Sequence, residues 1–561
     1  MKVSQIPYER YTLEQYKEAF EGIKERALSA KCANCMLETY KDFLAIQAEY
    51  FTAACLSNCR FTLNTKDEYY SGEVAYYDEI DPIVQNMMNE YGKILLESPY
   101  RAELENGLIN PRVFKMFEVV SKAFDEKIIS ELQEENNLIT EYSKFMSEME
   151  FEYNGEKMPL SKLRGGLDDG DRTVRESTCH AIGLGLQKNA AQLDEIYDKL
   201  VKVRDRMAKK LGYENYIPLG YYKMGRMDYD ADMIAKFRDN VKESIVPCVA
   251  KLKEEISKTL GIDTMMFYDD TVYINGETPK PVIDKDGIFA AAIEMYDSMH
   301  PEVGAFMRAM QEAEAFDVES RDGKFGGGYC TVFSKYQQPF ILANFNGSSG
   351  DVDVMTHEFG HALAAGFVFK YGDPMLEIGG METAECHSMS MEFFSWKYME
   401  KFFGDSADAY RKRHLLNAIS FIPYGVIVDE FQHKVYENPN MTPAERNQLY
   451  LDLEEKYRPY LSWTGIPYLE NGTRWQFQMH IYQTPFYYID YCLAQTVALN
   501  FLLESVEDYD GAFERYLNFS KTGGQKAFDK LISDAGLPSP FTEGSLDTMA
   551  KKVMNLAENM K

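Results

Sequence analysis

The sequence predicts a mainly α-helical protein of two lobes, with one small β-sheet confined to the middle of the chain. Three observations carry this. At 561 residues the chain exceeds the roughly 250–300 residues that a single hydrophobic core supports. Apolar residues recur at helical spacing along most of its length. Runs rich in β-branched and aromatic residues, bounded by turn formers, occur only between about 264 and 346. A composition of 45% hydrophobic and 27% charged residues is that of a soluble globular protein.

The elements follow in order. Thr12-Leu13-Glu14-Gln15 is a capping box, and it opens a helix with Tyr16, Ala19, Phe20 and Ile23 on one face. Further helices are predicted over 38–60, 78–98, 111–148 and 190–212, separated by breaks such as SPYR and LIN. The stretch 152–170 (EYNGEKMPLSKLRGGLDDG) has the Gly and Asp content of a turn. It is read as the boundary between an N-terminal helical lobe, 1–160, and a second lobe, 161–561. Within the second lobe, MMFYDDTVYING (265–276) ends in a turn-forming Asn-Gly, and FDVES, GYCTVF and PFILANF are short β-prone runs. Together they predict a small sheet directly upstream of another helix, for which NGSSGDVDV supplies a turn and an N-cap at Ser348 or Ser349.

Charge and composition exclude several function classes. A net charge of −29 opposes binding to phosphate backbones, so nucleic acid is not an expected partner. The first twenty residues lack the apolar stretch of a signal peptide. No run of about 18 apolar residues occurs, so no membrane span is expected. Nine dispersed cysteines suit reduced thiols and a cytoplasmic location better than a disulfide framework. Cys32-x-x-Cys35 and Cys55-x-x-x-Cys59 invite a zinc reading, but both lie in helical segments without the glycines of a zinc ribbon. Ordinary buried thiols are expected there.

The chemistry concentrates at VMTHEFGHA (354–362). His357 and His361 are two of only eight histidines and stand four apart, with Glu358 beside the first. On a helix, residues i and i+4 share a face, separated by about 5.4 Å of rise. Two imidazoles so placed can hold one metal ion, and the neighbouring glutamate can act as general base toward water. A chance HExxH in such a chain has odds on the order of one in a hundred, so the third ligand decides. The third histidine of a metzincin is absent: Ala364 and Phe367 occupy the places of its glycine and histidine. Glu377, Glu382, Glu385 and Glu392 are the nearest downstream carboxylates. Glu385 and Glu392 share a face of a helix rich in Met and Phe, where buried carboxylates need a partner.

HEFGH followed by E-C-H-S-M-S-M-E at 385–392 resembles the oligoendopeptidase F branch of the thimet oligopeptidase family of zinc peptidases. GGGYCT (326–331), PFILANFNG (339–347) and HIYQTPFYYIDY (480–491) extend the resemblance, as do DRTVRES and KKLGYENY upstream. It implies that Glu385 is the third zinc ligand, with Ser388 and Glu392 completing the Glu-x-x-Ser-x-x-x-Glu pattern. It further implies one zinc ion per chain, hydrolysis of internal peptide bonds, and a deep cleft that admits short unfolded peptides.

Other side chains join this expectation. Peptide hydrolysis develops negative charge on a carbonyl oxygen, and neutral donors aimed there lower the barrier by about 2.7–4 kcal/mol. His480, Tyr488 and Tyr491 match the family's histidine and tyrosines in this role, and the two tyrosines share a helical face. Asp353 and Glu392 are expected behind the metal ligands. Gly327, Gly328 and Tyr329 in the glycine loop, and Ala343 and Asn344 in PFILANF, are expected to line the substrate, with PFILANF serving as a sheet edge. The triple glycine is followed by no Gly-Lys-Ser/Thr, which excludes a phosphate loop. A carboxypeptidase with the same ligand set and a two-His-one-carboxylate iron oxygenase are the rival readings.

Overall fold

Helices form wherever an apolar stripe meets a capping residue. The structure, a computed structural model, describes residues 2–272, 279–376 and 380–560. Three long helices open the chain: α1 (Leu13–Leu28), α2 (Ala33–Leu63) and α3 (Glu68–Leu96). Both reciprocal bonds of the capping box at Thr12 are made with Gln15. The three helices bury Tyr16, Phe20, Phe43, Tyr50 and Tyr91 in one core, with the Phe43 and Tyr91 rings stacked 4.2 Å apart.

Cys32 and Cys35 differ from the expected pair of buried thiols. They are joined by a disulfide that closes the first turn of α2, where the Cys32 sulfur also accepts the Cys35 N–H. Cys55 and Cys59 lie further along the same helix as separate thiols.

The expected helix over 111–148 is two helices, Pro111–Ala123 and Ile129–Glu148. Asp125 breaks it by adopting an extended backbone and capping the N–H of Lys127. The stretch beginning at 152 is more than a turn. Glu150–Tyr153 (β1) and Glu156–Pro159 (β2) pair as a hairpin, closed by Asn154 and Gly155, both at positive φ. Such two-residue turns match the twist of the strands they join.

The central sheet has strands Phe316–Glu319 (β3), Tyr329–Phe333 (β4) and Gln338–Phe345 (β5), in the order β3-β5-β4. β3 runs parallel to β5 and β4 antiparallel to it. PFILANF is therefore the central strand, already paired on both sides, and not a sheet edge; the edge strands are β3 and β4. The run from Met265 is not a strand over its described part. Met266 makes a single bridge to Ser462, and Phe267–Asp269 is a 3-10 turn held by the Asp269 carboxylate accepting the Met266 N–H. The expected Asn275-Gly276 turn, Glu377 and Gly379 lie outside the described residues.

Two compact units emerge, each drawn from three stretches of chain. One comprises Met1–Ser121, Pro279–Ala407 and Glu504–Leu537; the other comprises Lys122–Thr278, Asp408–Leu503 and Pro538–Lys561. This grouping divides the chain differently from a single boundary at 160. The first unit holds α1–α3, the central sheet and the HEFGH helix, Gly350–Tyr371. The second holds the hairpin and a fully buried Arg204, which binds Glu135 at 2.7 Å and the Tyr436 hydroxyl at 2.9 Å. Among the described residues, no helix is long and apolar enough to cross a membrane.

Candidate active site

The HEFGH helix begins after a turn built by its own first residues. The Asp351 carboxylate accepts the N–H groups of Asn346 and Gly347 at 2.9 and 2.7 Å. Ser349 is the N-cap position, but its side chain makes no capping bond. Asp353 stands with Asp351 in the first turn, where carboxylates are favoured by the helix dipole. One and two turns on, His357 and His361 project together, ring centroids 5.0 Å apart.

The second helix, Met381–Phe394, packs against the first at very short range, and Gly360 is the reason. A Cβ on Gly360 would lie 2.7 Å from both the His387 carbonyl oxygen and the Ser388 Cα. The glycine of HEFGH thus lets one backbone touch the other, at the level where Glu385 must reach the imidazoles. His387 itself faces away. It is buried, with Nδ1 3.2 Å from Ser520 Oγ and its carbonyl accepting the Tyr516 hydroxyl at 2.8 Å.

His357, His361 and Glu385 each offer one ligand atom, and these atoms all lie within 4.8 Å of one another. Glu385 Oε2 is 3.4 Å from His357 Nε2 and 3.6 Å from His361 Nε2. Ser388 Oγ donates to the same carboxylate oxygen at 3.1 Å. Glu392 Oε1 lies 2.6 Å from His357 Nδ1, so that Nδ1–H donates to it and Nε2 is the nitrogen turned toward Glu385.

The electrostatics suit a cation. Three carboxylates, Glu358, Glu385 and Glu392, surround two partly buried imidazoles. Burial alone would lower His357, but Glu385 and Glu392 outweigh it and hold the imidazole well above its ordinary range. Burial and the neighbouring His357 push His361 down to about 4. Burial raises Glu358 to about 7, against the pull of His357. A set of two nitrogens and one carboxylate oxygen is the ligand type zinc takes, with the excess negative charge balanced by a divalent ion. The residues therefore fit the group.

Glu358 also touches the sheet: its carboxylate accepts the backbone N–H of Cys330 on β4. Gly328 precedes that strand, and a Cβ there would lie 3.4 Å from the Leu342 carbonyl and 3.9 Å from Glu358 Oε1. The other residues expected to line the substrate are engaged within the protein. Tyr329 pairs its hydroxyl with Thr62 at 2.6 Å. Ala343 is buried and its carbonyl accepts the Lys324 ammonium at 2.6 Å. The Asn344 amide donates to the carbonyls of Phe325 and Gly327, both at 2.8 Å. Asn344 and Lys324 therefore fasten the glycine loop; their side chains are not offered outward.

His480 and the tyrosines belong to the second unit. The His480 ring lies 4.9 Å from Tyr488 and 6.3 Å from Tyr491, and Tyr491 donates to the Tyr487 hydroxyl at 2.9 Å. Gln478 Nε2 is 2.8 Å from His480 Nδ1, while Gln478 Oε1 accepts the Tyr424 hydroxyl. The amide therefore donates to Nδ1, which leaves the proton on Nε2 as an outward donor. Burial lowers His480 and raises Tyr488 well above its ordinary range, so both are neutral donors. Tyr482 is fully buried and stacks on Tyr142 at 4.0 Å, so it is a core residue.

Sequence reasoning missed the device that aims these tyrosines. Phe486 adopts φ +68°, a conformation costly for a bulky residue. Its N–H donates to Gln432 Oε1 at 3.2 Å, its carbonyl accepts the Arg226 guanidinium, and Arg226 is fixed by Asp490 at 2.8 Å. Its ring fills a space opposite Gly220, where a Cβ would come within 2.6 Å of it. The helix Tyr488–Glu507 starts from this clamped turn.

Two imidazoles and a carboxylate from paired helices, with a further glutamate beside them, form the side-chain set of the HExxH-plus-glutamate metal centres. Comparison with known proteins agrees. The chain belongs to peptidase family M3: that family matches residues 167–551, and the peptidase M3 N-terminal domain matches residues 3–124. Among solved structures, it is similar to Pz peptidase A bound to an inhibitor, with 40% identity, a TM-score of 0.93 and full coverage of both chains. A Bacillus anthracis structure described as an oligoendopeptidase F is 35% identical, with a TM-score of 0.89, covering 100% of this chain and 99% of that one. Oligopeptidase PepF of Bacillus subtilis (strain 168) is 24% identical over 283 residues, 46% of this chain and 40% of that protein. The oligoendopeptidase F homolog of Lactococcus lactis is 25% identical over 339 residues, 55% of this chain and 52% of that protein. The chain thus spans about half the length of the curated relatives it matches. The resemblance to oligoendopeptidase F read from HEFGH and the 385–392 helix is met by these relatives.

Proposed function

We propose that the protein is a zinc-dependent oligoendopeptidase that hydrolyses internal bonds of short, unstructured peptides. The observation that carries this is the convergence of His357, His361 and Glu385, with Glu358 beside them. These three side chains would hold one zinc ion per chain. Zinc bound there supplies Lewis acidity, polarising a carbonyl and bringing the pKa of water down to about 7.

The chain's own residues do the rest. Glu358 takes a proton from the attacking water and hands it to the leaving amine. Its hydrogen bond from Cys330 points that residue's N–H away from β5, so the unpaired edge of β4 faces Glu358. A substrate strand added to that edge presents its backbone to the base, and backbone pairing tolerates many side chains. Gly327 and Gly328 keep the approach open. His480, with Tyr488 and Tyr491, donates to the developing oxyanion. Glu392 and Asp353 support the ligand helix, Glu392 by fixing the His357 tautomer. Seven of the nine cysteines stand outside any disulfide, which supports placing the protein in the cytoplasm.

Glu358→Gln tests the reading. It is expected to keep one zinc per chain by elemental analysis and to lose about 10²–10⁴-fold in turnover. Retained turnover would remove the assigned base. Mass spectrometry of products from a peptide with a blocked C-terminus should show internal cleavage, whereas a carboxypeptidase would leave it intact. Iron in place of zinc would revive the oxygenase reading.

A further inference from the structure

We propose that Arg164 and Arg474 form a carboxylate-recognition site beside His480, through which the protein reads a carboxylate carried by its substrate peptide. This rests on the peptidase reading above and adds to it a class of preferred substrate.

The chain carries a net charge of −29, so an arginine ordinarily finds a carboxylate nearby. Around His480, among the described residues, Arg474 and Arg164 form no ion pair with one. Arg458 is paired in a fork to Glu454 at 2.7 and 2.6 Å and reaches Asp270 at 3.1 Å. Lys253 takes the same Asp270 at 2.8 Å. Those two carboxylates are thereby paired directly with Arg458 and Lys253, and Arg474 acts on Asp270 without an ion pair.

Arg474 lies against three aromatic rings, 4.1 Å from the centre of Phe477, 4.8 Å from Tyr424 and 5.8 Å from Phe267. The guanidinium hydrogen-bonds Tyr424, but its enclosed Nε and Nη1 have no hydrogen-bond partner among the described residues. Arg164 is exposed, and its one hydrogen bond among the described residues is a 3.5 Å contact from Nη2 to the Phe477 carbonyl. Partial burial of its guanidinium, and then the charge of nearby Arg474, lower the Arg164 pKa. Two like charges held on one residue, Phe477, without an anion between them repel each other, and the arrangement is relieved by a ligand that brings negative charge.

The ligand chemistry follows from the groups. A guanidinium offers parallel N–H donors that match a carboxylate. Position supplies the partner. Phe477 is three residues before His480. The ring under Arg474, Tyr424, donates to Gln478, which donates to His480, and Tyr424 also meets Tyr488 at 5.7 Å between ring centres. A peptide held at His480 and Tyr488 therefore passes the two arginines. The carboxylate is either the α-carboxylate of a short peptide or an acidic side chain within it.

The test uses the zinc-loaded full chain and internally quenched peptides of one sequence, made with a free or an amidated C-terminus and with Glu or Gln at each position beyond the cleaved bond. The expected result is a preference of about tenfold in kcat/KM, carried mainly by KM, for the free acid or for Glu at one position. Which pair shows it identifies the source of the carboxylate. Arg164→Gln and Arg474→Gln should bring that ratio toward one, and Arg474→Lys should restore part of it. Arg164 is exposed, so its variant stands even where an Arg474 substitution disturbs folding. Equal kcat/KM within every pair, or a preference undiminished in both variants, overturns the inference while leaving the peptidase reading intact. Failure to cleave any peptide overturns the peptidase reading and this inference with it.

Discussion

Glu385 and Glu392 lie two turns apart on one helix face, yet the structure gives them different partners. Glu385 faces Nε2 of both imidazoles at 3.4 and 3.6 Å; Glu392 takes Nδ1 of His357 at 2.6 Å. Ligand and supporter should therefore separate by experiment. Glu392→Gln keeps a hydrogen-bonding group but loses the charge that fixes the imidazole, and is expected to weaken zinc binding about 10–100-fold in a chelator competition. Glu385→Gln removes the proposed third ligand and should weaken it further. An equal effect from both would erase the distinction drawn here. The sequence made His357 and His361 legible because i, i+4 spacing fixes a shared face on any helix. Choosing among the downstream glutamates by spacing was not possible, because 385 and 392 share a face as well. The family resemblance pointed to 385, and the packing of the two helices shows which carboxylate meets the imidazoles.

That packing belongs to the scale of elements, and Gly360 sets it. A methyl group there would meet backbone atoms, the His387 oxygen and the Ser388 Cα at 2.7 Å, and backbone cannot rotate aside as a side chain can. Gly360→Ala is expected to cost about 1–3 kcal/mol in chemical denaturation and to lower zinc content by displacing Glu385. Gly326→Ala is the control, since nothing lies within 4 Å of its Cβ, and it should change stability by no more than about 0.5 kcal/mol. A Gly360→Ala protein that is as stable as the control and fully loaded would show that the helices have room to spare. The same scale explains which elements were readable. The three runs that became β3, β4 and β5 alternate or bury β-branched residues between turn formers. EFEY and EKMP are charged and short, so their hairpin was visible only as a turn. MMFYDD has strand composition, but Asp269 and its partners Arg172 and Arg175 hold it as a 3-10 turn, a tertiary effect without a local signal.

On the scale of the whole molecule, two compact units are each assembled from three separate stretches. Which helix joins which core depends on partners far away in sequence, and amphipathic periodicity names a buried face without naming what buries it. Inside the second unit this assembly rests on charge as well as on apolar packing. Arg204 is fully buried, and Glu135 answers it and Lys223 together. Burial would raise the Glu135 pKa, but the two cations overcome it and hold the carboxyl down at about 2, below its ordinary 4.5. Asp429, buried against His433 and Arg238, is likewise held at about 2. A depressed folded-state pKa contributes stability that is present above about 4.5 and lost as pH falls through about 2. Stability should therefore decline steadily across that acid window. Glu135→Ala leaves Arg204 and Lys223 without their anion and is expected to cost about 3–5 kcal/mol at neutral pH. Glu135→Gln, which cannot ionise, should flatten the acid decline in denaturant midpoints measured from pH 6 to about pH 2. The wild type and the Gln variant losing stability in parallel over that range would mean that this buried carboxylate is not what couples the fold to acid.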